Sequence, residues 1–183
     1  PVVLITGTES FLADRALRIL TDRMKSRDAG VEVNDLDAAD YQQGDLLQLA
    51  SPSLFGEPRL LRVSSVEKCN DAFLDDALAY LEAPESDVVV ALRHGGGNRG
   101  KKLLDALKAA GSLALVVECK EIKKDAERLS FVNQEFQRHS VTIEPKAARA
   151  LVDAFSSDLA ELASACAQLI SDVGSAGVTA QTV

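Results

Sequence analysis

Apolar residues in this chain fall first into short unbroken runs and later into helical stripes, and the change comes near residue 120. Val2-Val3-Leu4-Ile5 ends at Thr6-Gly7-Thr8, the pattern of a strand buried in a sheet. A helix is predicted from about Ser10 to Asp28, with Leu12, Ala16, Ile19, Leu20 and Met24 as its stripe and Gly30 closing it. Val31-Glu32-Val33 alternates as a strand does. A short helix is predicted from Asp45 to Ala50, stopped before Pro52, and a strand from Arg59 to Val63. Asn70 or Asp71 caps a helix running to Leu81, with Phe73, Leu74, Ala77, Leu78 and Leu81 on one side. Val88 to Leu92 reads as a strand, Lys101 to Ala110 as a helix stopped by Gly111, and Leu113 to Glu118 as a further strand. Strands alternating with helices predict an α/β fold: a mostly parallel sheet with helices on both faces.

After Cys119 the strand signal stops. Helices are predicted from Asp125 to Arg138, from Pro145 to Phe155, and from a Ser157-Asp158 cap through Leu159, Leu162, Ala163, Cys166, Leu169 and Ile170. The expected organisation is an α/β domain over 1–120 and a small all-helical domain over 121–174. Residues 175–183 then read as a linker. Pro1 at the start and Gly177-Val178-Thr179-Ala180-Gln181-Thr182-Val183 at the end lead us to expect a piece of a longer protein.

Composition changes this picture little. With 4% aromatic residues and no Trp, the core must be aliphatic. The longest apolar runs fall far below the ~20 residues of a membrane-spanning helix, and no signal peptide is visible. Cys69, Cys119 and Cys166 are odd in number and form no CxxC pair, so they read as free thiols in a reducing cytoplasm. A net charge of −8 argues against broad nucleic-acid binding by this chain, although a local basic patch in an assembly is compatible with it.

Two places invite a phosphate-loop reading. After the first strand stands Gly7-Thr8-Glu9-Ser10-Phe11-Leu12, without the Lys of GxxxxGK(S/T) and with Glu9 and Asp14 where a phosphate would bring negative charge. The second is Gly95-Gly96-Gly97-Asn98-Arg99-Gly100-Lys101-Lys102, which has the Lys but places Lys102 where a Mg²⁺-holding hydroxyl belongs. Three glycines in a row read more plainly as a surface loop. Arg99, Lys101 and Lys102 offer charge for an anion or a DNA backbone, and a solvated helix start is the plainer reading. His94 and His139 are the only histidines, so the sequence supports no metal site and no catalytic set. Asp75-Asp76 and Asp35/Asp37 read as solvated carboxylates. The strand from Arg59 ends in Ser64-Ser65, where an active P-loop ATPase carries an acidic metal ligand, with Glu67 displaced.

Between the short helix and that strand lies Ser51-Pro52-Ser53-Leu54-Phe55-Gly56-Glu57-Pro58. Two adjacent large apolar residues in a surface connection either fold back onto the core or wait for a partner. The residues alone leave both open.

In four places the chain resembles the delta subunit of bacterial DNA polymerase III, the clamp-loader subunit that opens the sliding clamp. These are Gly7-x-Glu9-x-Phe11-Leu12; Leu54-Phe55-Gly56-Glu57-x-Arg59-Leu60-Leu61; Lys101-Lys102-Leu103-Leu104-x-Ala106-Leu107; and Asp158-Leu159-x-x-Leu162. Their order and spacing over nearly the whole chain carry the resemblance. It implies an AAA+-like sheet domain that has lost its P-loop, then a helical lid, then a collar domain beginning after about Val183. It implies that Leu54 and Phe55, with Ser53 before them, plug an apolar pocket on the beta sliding clamp. It implies a non-catalytic accessory subunit of the polymerase holoenzyme in the cytoplasm, with no cofactor and no metal. Its partners would be the delta prime and gamma/tau subunits, and primer-template DNA would be reached through the assembly. The alternative is a nucleotide-binding ATPase using the Gly95–Lys102 loop.

Overall fold

The computed structural model describes residues 1–53, 56–155, 158–173 and 177–179. The chain divides into two compact units, Pro1–Glu121 and Ile122–Val183. In the first, five parallel strands lie in the order β2-β3-β4-β1-β5: β1 (Val2–Thr6), β2 (Glu32–Asp37), β3 (Arg59–Ser64), β4 (Val88–His94) and β5 (Ala114–Glu118). Between them run α1 (Ser10–Arg27), α2 (Asp45–Leu49), α3 (Asp71–Glu82) and α4 (Lys101–Ala109).

Because strand side chains alternate, the run Val2-Val3-Leu4-Ile5 serves two cores. Val3 and Ile5 meet Leu12, Ala13, Ala16 and Leu17 of α1 on one face. Val2 and Leu4 meet the other core, with Leu46 of α2, Phe73 and Ala77 of α3, and Leu103 and Leu107 of α4. Each fully buried Leu or Phe here contributes roughly 1.5–3 kcal/mol of apolar transfer.

Strand β2 runs four residues past the predicted Val33, through Asn34-Asp35-Leu36-Asp37. These are poor strand formers by composition, but the register supplies partners that a local reading cannot see. Glu32 lies opposite Arg59, and Asp35 opposite Arg62. The Arg62 guanidinium donates twice to the Asp35 carboxylate, both bonds at 2.7 Å, and this holds the Asp35 carboxyl below its usual range. Asp37 accepts the Ala39 amide at 3.0 Å and so caps the 3-10 turn Ala38–Asp40. Asp35 and Asp37 are therefore structural groups, not merely solvated ones. Helix α1 ends within one residue of the predicted Asp28, though Asp28 and not Gly30 closes it. The Asp28 carboxylate takes the Gly30 amide at 2.8 Å.

Asp76 is a second correction. It is half-buried and accepts both the Tyr41 hydroxyl at 2.6 Å and the Gly44 amide at 2.7 Å. The same hydroxyl accepts the Leu46 amide at 3.1 Å. Asn70, the N-cap of α3, donates to the Tyr41 carbonyl, and the Tyr41 ring stands edge-on to Phe73 at 5.3 Å. Burial, with the bond to Asp76, pushes the Tyr41 phenol up to about 12. This network fastens α2 to α3. Tyr41→Phe leaves the buried Leu46 amide without its acceptor and Asp76 without one donor, so a loss of about 1–3 kcal/mol is expected in urea unfolding. An unchanged midpoint would show that the network does not hold α2.

The second unit contains α5 (Asp125–Arg138), α6 (Pro145–Ala154) and α7 (Leu159–Val173), packed pairwise. Phe131, Val132 and Phe136 of α5 are buried, as are Leu151 and Val152 of α6 and Leu162 and Cys166 of α7. Asp158 caps α7, accepting the amides of Ala160 and Glu161; Ser157 lies outside the described residues. Ile143 and Val178 form a parallel bridge. Burial raises all three thiols, Cys166 to about 12, so none is a thiolate at neutral pH.

No helix among the described residues is long and apolar enough to cross a membrane.

Candidate functional site

The connection from α2 to β3 carries the Leu-Phe pair. Helix α2 stops as the sequence predicts: the Ala50 amide bonds to Leu46, and Ser51 turns its amide and hydroxyl back on the Gln48 carbonyl. Pro52 follows, exposed. Ser53 is half-buried; its carbonyl accepts the Gly56 amide at 3.2 Å, and its hydroxyl bonds to Glu57 at 3.1 Å. The Pro58 carbonyl accepts the Glu32 amide at 3.0 Å, which returns the chain to the edge of the sheet. Leu54 and Phe55 lie outside the described residues. Leu47, on α2, is 44% exposed, a large apolar side chain open to solvent in the stretch leading to the pair.

The two suspected phosphate loops meet at the carboxyl ends of β1 and β4, where α/β sheets commonly bind ligands. At the first, the space is filled from within. The Gly7 amide donates to the His94 carbonyl and the Glu9 amide to the Cys119 carbonyl, each at 3.0 Å. A Cβ on Gly7 would stand 2.1 Å from that Cys119 oxygen. Glu9 is the N-cap of α1, its carboxylate accepting the Phe11 amide. A helix N-terminus is a place for an anion, and here the chain supplies its own.

At the second loop the anion is again internal. The Gly95 amide donates to the Glu67 carboxylate at 2.7 Å, and the Gly96 amide to His94 Nδ1 at 3.1 Å. Burial works against the Glu67 charge, but the Gly95 bond together with nearby His94 and Arg93 outweighs it and lowers the carboxyl below its ordinary value. Glu67, which stood out in the sequence only as displaced from a metal-ligand position, is thus an anchor for the glycine loop. His94 Nε2 lies 3.0 Å from the Arg99 carbonyl. The candidate basic cluster is mostly engaged. Arg99 donates to the Cys69 carbonyl and pairs with Asp71 at 2.7 Å; Lys101 pairs with Asp105 at 2.8 Å. Lys102 is exposed at the start of α4, beside a groove that includes Leu74 and Leu78. Among the described residues, no group of three His, Cys, Asp or Glu could hold a metal ion.

No family model matches the chain, and no curated protein does. The likeness is to solved structures. The Bacillus subtilis DNA clamp loader delta protein, YqeN, superposes with a TM-score of 0.77 at 21% identity over 100% of this chain. This chain has the fold of a clamp-loader delta protein. It spans 57% of that delta protein's length. A Thermotoga maritima Holliday junction branch migration motor, RuvB, superposes with a TM-score of 0.51 at 12% identity, covering 98% of this chain and 58% of that one. The likeness is one of fold, and in this chain the segment from Pro52 to Pro58 joins α2 to β3.

Proposed function

We propose that this chain is the clamp-binding part of a clamp-loader delta subunit: a non-catalytic protein that grips and opens the beta sliding clamp. The observation that carries this reading is the delta fold over the full chain, together with a Leu-Phe pair in the α2–β3 connection. Leu54 and Phe55 are the anchors, with Ser53 at their base. An apolar plug seated in a pocket is a usual form of interface hot spot, worth roughly 2–4 kcal/mol per anchor. The helical unit acts as a lid before a collar domain, the partners are delta prime and gamma/tau, and ATP is bound by sister subunits. Primer-template DNA is reached through that assembly, in the cytoplasm. Equilibrium binding of this chain to purified beta clamp tests the reading directly.

The same reading makes this chain silent toward nucleotide. Both phosphate-loop positions already hold a carboxylate of the chain, Glu9 at one and Glu67 at the other. Titration calorimetry with Mg-ATP should give no heat of binding at micromolar concentrations. A micromolar affinity lost on Lys101→Ala would instead favour an ATPase that uses Gly95 to Lys102.

A further inference from the structure

We propose that Arg59 is a positioning residue for the clamp-binding segment, fixing both the point where that segment leaves α2 and the point where it enters the sheet. This rests on the clamp reading above. Arg59 is the first residue of β3. Its Nη1 donates to the Ser51 carbonyl at 2.5 Å, and its Nε to Glu32 Oε2 at 2.7 Å. Ser51 follows Ala50, the C-cap of α2, and precedes Pro52, so its carbonyl marks the point where the chain leaves the helix. Glu32 sits directly opposite Arg59 on the edge strand β2. One planar fork thus ties the end of α2 to the rim of the sheet, and the Glu32 amide holds Pro58 from the same side. The Arg59 side chain is only 20% exposed.

The fork is what the position requires. A lysine carries one compact ammonium and reaches the carbonyl or the carboxylate, not both in this geometry. A segment whose two ends are fixed has less freedom to lose when a partner captures the Leu-Phe pair, so the fork acts on affinity through a lower ordering cost. It acts on stability only slightly, because partly exposed ion pairs contribute little to folding.

The test is a double-mutant cycle read against beta clamp, with the parent, Arg59→Lys, Glu32→Ala and the double variant. Each single change is expected to weaken clamp binding about fivefold, and the double variant no further than the worse single one. Thermal midpoints should stay close to the parent's. The native chain has no Trp, so Phe55→Trp places a unique reporter in the segment. Its fluorescence anisotropy in the free protein should fall when Arg59→Lys or Glu32→Ala is added, which a residue that merely supports the fold would not cause. If the two losses in clamp affinity instead add, Arg59 touches the clamp itself and the positioning role is overturned. Parent-like affinity with unchanged anisotropy also overturns it. Leu54→Ala with Phe55→Ala is run beside them. If that pair leaves clamp binding intact, the clamp reading fails, while the anisotropy still decides whether Arg59 orders the segment.

Discussion

Leu54→Ala together with Phe55→Ala is expected to weaken binding to the beta sliding clamp at least tenfold while leaving the fold intact. Tenfold is about 1.4 kcal/mol. A Leu and a Phe side chain moved from water into an apolar pocket each gain roughly 1.5–3 kcal/mol, so the prediction asks for well under their combined transfer energy. The remainder covers ordering of the segment. Pro52 and Pro58 restrict the unbound chain on either side, and the Ser53–Gly56 and Ser53–Glu57 bonds need no side chain from the pair. Among the described residues, the core of this unit closes around Leu46, Leu61, Phe73 and Leu103. On the plug reading the double variant melts within a few degrees of the parent, as replacements outside a core usually do. Surface plasmon resonance against immobilised clamp, beside a thermal melt, checks both halves. A variant that unfolds, or one that binds as tightly as the parent, places Leu54 and Phe55 in the core and removes the proposed site.

The elements were legible wherever apolar periodicity decided them. Val2 to Ile5, Val88 to Leu92 and the stripe of α3 announce themselves, because a buried strand or helix face needs those residues whatever surrounds it. Helix α5 even has the predicted bounds. What stayed hidden depends on partners far along the chain. Asn34-Asp35-Leu36-Asp37 becomes strand because Arg59 and Arg62, 27 residues on, lie opposite Glu32 and Asp35. Asp76 looked solvated because Tyr41 is 35 residues away. The site shows the same divide. Leu54-Phe55 stands out in sequence as an apolar pair in a polar connection. Arg59 does not, since an arginine opening a strand announces nothing until Ser51 and Glu32 are seen at its two nitrogens. Glu67 likewise gains a role only once its carboxylate is found on the Gly95 amide.

Gly7→Ala is expected to destabilise the first unit by about 3–5 kcal/mol, a large share of the roughly 5–15 kcal/mol that holds a domain folded. Two costs combine. Gly7 has φ +135°, where an L-residue is strained by about 1–3 kcal/mol. The added Cβ also meets the Cys119 carbonyl oxygen at 2.1 Å and its carbon at 2.5 Å. Those are backbone atoms bonded on both sides, the Cys119 amide to Thr6 and its carbonyl to the Glu9 amide, so they cannot retreat without opening the junction of β1 and β5. Overpacking of this kind costs about 1–3 kcal/mol. Gly97 supplies the comparison. It has φ +93°, and an added methyl there would have nothing within 4 Å, so Gly97→Ala carries only the conformational cost, about 1–3 kcal/mol. Urea unfolding of the two variants should separate them clearly, and equal midpoints would refute the packing cost at Gly7. The close approach also bears on function. In a phosphate loop, glycine lets a phosphate come near the backbone. Here the same freedom lets the end of β5 come near instead, so Gly7 helps close the space a nucleotide would need at the end of β1.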